Sequence, residues 1–366
     1  MKENLITQDG AKVITETGED LYRIEANGTD VSVAENVIVV LEGDNSQATI
    51  NGVEGSVFNE GDRNCIKVEV PNGIVKNEGK SATVKMSKYA AGSKILNMGE
   101  HGNFEINCEN ASVYSNARKS KVKLSGCNAE VYVLADDEDM RMDVSGESCK
   151  LKIEGENVKL NTQGRNINAE ISGENYTIHH NASEGEYFLK SYGYMYLHGC
   201  RNTVSLDSGA KNSQLNVYKG VNKIKIACND VQLTAHGIGN NISILGNNVC
   251  GNVHGDCTSV LVSGEGNKLT CFGENQRIVV CGRNNKLSLN GEYSTVYWDG
   301  DGDVMFLQEG SWLTISEWKV QDSNNLPAIP IARNHYIDGV EMKTGVVYHV
   351  EDGKLIETNK KSINNK

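Results

Sequence analysis

The segment from Gly264 to Gly300 reads GEGNKLTCFGENQRIVVCGRNNKLSLNGEYSTVYWDG. Glycine recurs at 264, 273, 282, 291 and 300, every ninth residue, and the triplet Asn-Lys-Leu begins at both Asn267 and Asn285. With glycine as position 1, apolar residues fall at positions 6 and 8 with polar residues on either side. That alternation is the period of a half-buried strand, so each nine-residue unit is one short strand and one turn.

Upstream, position 6 reads Phe188, Leu197, Leu206, Leu215, Ile224, Leu233, Ile242, Gly251, Val260, Leu269, Ile278, Leu287 and Val296. Position 8 follows from Val217 to Trp298. Three earlier blocks keep the beat: Val39 to Val84, Ile95 to Val131, and Met142 to Ile178. Met305 and Ile315 continue it. Insertions are expected at 85–94, 132–141, 179–187 and 306–314. Asn-Lys-Leu recurs after 18 residues, as does Gly-Glu at 273 and 291, so alternate units resemble each other more than neighbours do. The reading is an all-β fold, a single parallel β-solenoid (β-helix), with two strands per 18-residue coil favoured and three left open.

Composition agrees. The 366 residues include 38 glycines but only 3 prolines, 5 phenylalanines and 3 tryptophans. Asparagine is abundant, and it shares with glycine a tolerance for the positive φ of tight turns. The formal charge of −12 and the absence of a basic stripe along the sequence disfavour nucleic-acid binding. The first twenty residues lack the apolar core of a signal peptide, and no 18-residue apolar run occurs. The expectation is a cytoplasmic protein with no membrane span, or one reaching a surface or particle by a route needing no such peptide. Ten cysteines without a Cys-x-x-Cys pair read as reduced thiols.

The domain reading places an N-terminal cap over 1–30, the solenoid over 31–318, and a C-terminal hairpin and tail over 319–366. In the last, TGVVYHVEDGKLIE is a hairpin turning at Asp352-Gly353. The tandem prolines Pro327 and Pro330 precede it, and the final NKKSINNK is a frayed tail. Trp298, Trp312 and Trp318 are expected to plug the open end of the coil.

The units GIGNNISIL, GEGNKLTCF and GRNNKLSLN resemble the Gly-Asn-Asn repeats of a bacterial family of unknown function whose members are expected to form β-solenoids. The resemblance implies a fold and no activity. The calcium-binding nonapeptide β-roll also counts in nines, but its sixth position is aspartate where this chain has Leu or Ile, so no calcium ladder or other cofactor is expected. Asn at position 4, as in Asn222, Asn240, Asn267 and Asn285, is expected to stack coil on coil.

Candidate binding residues follow from the same register. His179 and His198 are both placed at outward position 7, and His236 and His254 at position 9. With no third ligand they define no metal site. Tyr187, Tyr192, Tyr194 and Tyr196 lie close by in sequence and offer an aromatic surface for a sugar or a protein. Leu261, Val279 and Tyr297 form an outward apolar column, to be covered by the C-terminal hairpin or by a partner, including a second copy. The acidic turn Asp136 to Asp139 reads as solvated. No catalytic constellation emerges. The functional expectation is therefore a non-enzymatic structural or recognition rod for a protein or glycan. The alternatives are a carbohydrate-active solenoid enzyme and a cell-envelope or phage-particle structural protein.

Overall fold

The computed structural model describes residues 2–18, 20–116, 118–135, 139–319 and 329–358. Asp136 to Glu138 of the acidic turn, Pro327 and the terminal NKKSINNK lie outside the described residues. The chain divides into two compact units, Met1–Phe188 and Leu189–Lys366. Each is a parallel β-solenoid of short strands. Among the described residues no helix is long and apolar enough to cross a membrane.

The pairing offset settles the number of strands per coil. In unit 1 Val57 pairs with Val75 and Val113 with Val131. In unit 2 Leu233 pairs with Gly251 and Leu269 with Leu287. Each offset is 18 residues, one coil of two strands. The same ladder already joins Glu3–Ile6 to Leu21–Ile24. Offsets of 20 at Val75↔Ile95 and Val122↔Met142 mark the two-residue insertions expected at 85–94 and 132–141.

Elsewhere the register differs from the expected one. Tyr187 is fully buried and Phe188 is 39% exposed, so Tyr187 follows Ile178 by nine residues and no insertion separates them. Leu197 pairs with Val217 and Leu206 with Ile226, which puts both leucines at position 8 rather than 6, and a two-residue insertion follows Leu206. Near the C-terminus Val304 pairs with Leu287 and Leu313 with Val296. Position 6 is thus held by Val304 and Leu313 instead of Met305 and Ile315. The slips are of two kinds: at Tyr187/Phe188 and Val304/Met305 two adjacent apolar residues compete for one inward position, whereas at Leu197, Leu206 and Leu313 the shift is of two residues. Positions 6 and 8 are both apolar and two residues apart, so a two-residue shift lays one apolar column over another.

Glycine has a sharper role than marking turns. A Cβ on Gly264 would stand 1.9 Å from the carbonyl oxygen of Gly246, and one on Gly291 would stand 1.8 Å from that of Gly273. The corner of each coil rests on the corner one coil earlier, with no room for a side chain. Among non-glycine residues the left-handed turn position is most often asparagine, for example Asn36, Asn72, Asn157 and Asn248, with φ between 54° and 59°.

Inward polar residues are bonded from coil to coil. In unit 1 Asn59 Nδ2 donates to Asn77 Oδ1 at 2.6 Å, Asn77 Nδ2 to Asn97 Oδ1 at 2.7 Å, and Asn97 Nδ2 to Ser115 Oγ at 3.0 Å. In unit 2 the position-4 asparagines behave as expected. The backbone N–H of Asn222 donates to Asn240 Oδ1 at 3.0 Å, while Asn222 Nδ2 donates to the Lys219 carbonyl at 2.6 Å.

The hairpin forms as read, with Val347–Glu351 antiparallel to Lys354–Glu357 around Asp352 and Gly353 at φ 50° and 70°. It adds edge-on, Val347–Val350 pairing with Gly302–Met305, while Ile329–Tyr336 pairs with Trp312–Lys319. This occupies the open edge of the last coil. In the outward apolar column Leu261 stays 38% exposed, while Val279 and Tyr297 are partly buried. Of the three tryptophans Trp298 is fully buried, whereas Trp312 lies outside with its ring 4.5 Å from that of Tyr336. The Trp318 side chain is outside the described set.

Candidate functional site

A groove of about 650 Å³ lies in unit 1 on one sheet face. Its floor is built by strands one coil apart, Lys94–Asn97, Ser112–Ser115, Glu130–Ala135 and Lys150–Gly155. Because successive side chains alternate between faces, the outward positions 5 and 7 of these strands form two parallel columns. Position 7 contributes Leu96, Tyr114, Tyr132, Lys152 and Glu170; position 5 contributes Ile74, Lys94, Ser112, Glu130 and Lys150. A second trough of about 610 Å³, lined by Asn36, Ile38, Ser56 and Asn72 among others, shares Ile74 and Lys94 with the first. Together they run across the strands from Asn36 to Glu170.

The tyrosine rings stand stacked, centroids 5.2 Å apart and planes 23° from parallel. Lys152 Nζ caps Tyr132 at 5.0 Å from its centroid and pairs with Glu154 at 3.1 Å. The hydrogen bond to Glu154 and its charge hold the Lys152 ammonium above its usual pKa. Lys150 pairs with Glu130 at 2.9 Å. The groove therefore offers an apolar floor of Ile74 and Leu96, ring edges with hydroxyls, and paired charges at the rim. Sequence reasoning missed Tyr114 and Tyr132. The signal was present: Leu96, Tyr114 and Tyr132 repeat at position 7, the rule that exposed Leu261, Val279 and Tyr297.

The residues singled out in sequence fall into three places. His179 is at position 7, beside Asn161 in register, but His198 is at position 9, because Leu197 occupies position 8. They belong to different columns, contrary to expectation. His198 instead heads a row of stacked rings in unit 2: His198–Tyr218 at 4.4 Å, Tyr218–His236 at 6.2 Å, His236–His254 at 4.7 Å and His254–Phe272 at 4.4 Å. The expected His236–His254 pair is thus the middle of a five-ring row. Its rings stack face to face, so their nitrogens lie side by side rather than converging on an ion. Burial first, and then the charge of His236, lower the pKa of His254.

Tyr192 and Tyr194 are 39% and 44% exposed. Tyr194 shares its column with Gln214, Gln232 and Cys250. Gln214, Gln232 and Cys250, with Thr234 and Asn252, line a polar trough of about 280 Å³. Tyr196 is partly buried in the neighbouring column with Asn216. The opposite column places Leu261 beside Val279 and Val279 beside Tyr297, as read. Tyr297 is tied by its hydroxyl to Ser316.

Other buried chemistry is structural in geometry. His180, fully buried in unit 1, has Nδ1 2.6 Å from Thr162 Oγ1 and 2.7 Å from the Tyr187 hydroxyl. All ten cysteines are free. Burial pushes the thiols of Cys108 and Cys228 up to about 11 and that of Cys271 up to about 12, the opposite of an activated nucleophile. Among the described residues no group of three or more His, Cys, Asp or Glu could hold a metal ion.

No family model matches the chain, and no curated protein matches it. Among solved structures it is similar to tailspike protein 3 of bacteriophage CBA120, with 13% identity and a TM-score of 0.24 over 95% of this chain. The chain spans 64% of that tailspike's length.

Proposed function

We propose that the protein is a non-enzymatic recognition solenoid that binds an extended glycan along the unit 1 groove. The observation that carries this is the pair of adjoining troughs sharing Ile74 and Lys94, which fit a ligand that is long across the strands. A sugar chain has apolar C–H faces and a hydroxyl rim, matching a floor of Leu96 and Ile74 flanked by tyrosine hydroxyls, serines, asparagines and charged ends. The trough beside Tyr194 and Tyr196 in unit 2 is a secondary contact of the same character, and Leu261, Val279 and Tyr297 are left for a protein partner or a second copy. The resemblance to the Gly-Asn-Asn repeat proteins is compatible with this reading, because it implies the coil and no chemistry.

A glycan array read beside a reducing-end assay tests it. Tyr114→Ala and Leu96→Ser should each weaken capture about tenfold, the loss of roughly 1.4 kcal/mol of contact, with unchanged circular dichroism. Capture unaffected by either variant, or no capture of any glycan, would reject the groove. New reducing ends that vanish in the variants would make the protein a carbohydrate-active enzyme instead.

A further inference from the structure

The other sheet face of unit 1 carries a charge pattern that composition does not anticipate in a chain of net charge −12. Lys121, Arg141 and Lys159 are aligned by the parallel register, Lys121 beside Arg141 and Arg141 beside Lys159, and all three are exposed. Strand spacing sets these like charges roughly 4.8 Å apart at the backbone. Like charges directly opposite destabilise a sheet. The adjacent outward column shows the stabilising alternative, with Glu105, Lys123 and Asp143 alternating in sign. Asp143 is committed to its own column and to Arg141, accepting from Asn161 Nδ2 at 2.6 Å and lying 3.6 Å from Arg141 Nε. Among the described residues Lys121 and Lys159 have no carboxylate within ion-pairing distance. Arg118, on the turn just before Lys121, lengthens the positive side of this face, whereas Lys85 in the adjacent column pairs with Glu105 at 3.3 Å.

We propose that this column is a second binding site, distinct from the groove, for a linear polyanionic glycan whose sulfates or carboxylates lie along Lys121, Arg141 and Lys159. Such an occupant relieves the repulsion between the three cations. A sparse, one-sided row of charges suits a polysaccharide better than a nucleic acid. Duplex DNA presents a charge about every 1.7 Å of axis and would bring phosphates against Glu105 and Asp143. Single strands are held by base stacking on aromatic rings, and no Phe, Tyr or Trp occupies the outward positions of the strands from Thr83–Met86 to Tyr176–His180 on this face.

The test is retention of the full chain on immobilised dextran sulfate, uncharged dextran and oligo(dT). Wild type should bind dextran sulfate alone and elute as salt rises. Lys121→Glu combined with Lys159→Glu should weaken that binding at least about tenfold, a loss that simple screening of exposed charge permits, while the Gln pair gives a smaller loss. Tyr114→Ala should leave it unchanged, which separates this site from the groove: failure of the glycan array would not move the dextran sulfate result, nor the reverse. Retention equal in the Glu double variant and wild type, or no retention at all, would overturn the proposal. Tighter binding to oligo(dT) than to dextran sulfate would reassign the site to a phosphate backbone. Both lysines are exposed, and circular dichroism of the variants confirms that any loss is not unfolding.

Discussion

Val221 occupies a left-handed turn position, φ 60°, that asparagine holds in many other coils, and it is 58% exposed. A β-branched side chain there costs roughly 1–2 kcal/mol in backbone strain. Val221→Asn should therefore stabilise unit 2 by about 1 kcal/mol, seen as a higher urea midpoint at unchanged slope. A lower midpoint would show that Val221 gains more from packing than it loses in strain. Gly264 is the reverse case: its constraint is the Gly246 carbonyl, and backbone cannot move aside as a side chain can. Gly264→Ala should destabilise by roughly 2–4 kcal/mol, beyond the ordinary helix-or-strand penalty of exchanging glycine. Both effects were half legible in sequence. The nine-residue glycine beat was visible, but close approach between coils is a tertiary fact, and only it distinguishes a corner glycine from a turn glycine.

At the scale of the strand, polar and aromatic rows behave as single elements. Asn77 both donates to Asn97 and accepts from Asn59 inside the core. Asn77→Ala leaves buried amide groups on both sides without their partner and should cost about 2–3 kcal/mol, measurable by urea unfolding; a loss under 0.5 kcal/mol would show that water replaces the amide. The five-ring row in unit 2 ties stability to pH through His254, whose pKa is lowered in the fold by burial and by His236. The unfolded chain then binds the proton more readily than the folded one. Stability contributed here is present above the unfolded value of 6.5 and is lost as pH falls through it toward the lower folded value. The protection factors of amides in 232–272, which are exchange rates corrected for the intrinsic pH dependence, should fall as pH drops from 7.5 to 5.5, and His254→Phe should flatten that dependence. An unchanged slope in the variant would exclude His254 as the titrating group. Position 9 could be tracked by sequence for Tyr218, His236 and His254, but His198 joined the row only once the slip after Leu206 was known.

At the scale of the whole molecule, the alternation of apolar residues in nines places no buried carboxylate inward among the described residues. Position 6 is filled mainly by Val, Leu, Ile and Phe, as at Phe104, Leu151 and Ile242. Millimolar calcium, or its removal with EGTA, should leave the melting temperature within about 1 °C; a calcium-dependent rise of several degrees would point to outward carboxylates acting as ligands. The sequence by itself determined the class of fold and the C-terminal hairpin and favoured an 18-residue coil, because burying one face of a strand imposes a period of two and stacking similar coils repeats the pattern; the strand pairing decided for two strands per coil over three. Tertiary structure alone decided the register around Tyr187, Leu197 and Val304: at Leu197 two apolar columns two residues apart are interchangeable to any pattern, and at Tyr187 and Val304 two adjacent apolar residues compete for one inward position. It also decided which outward columns became sites. Tyr114 meets Tyr132, and Lys121 meets Arg141 and Lys159, only through pairing between strands a coil apart, and exposure of a column depends on what the neighbouring coils and the terminal hairpin leave uncovered.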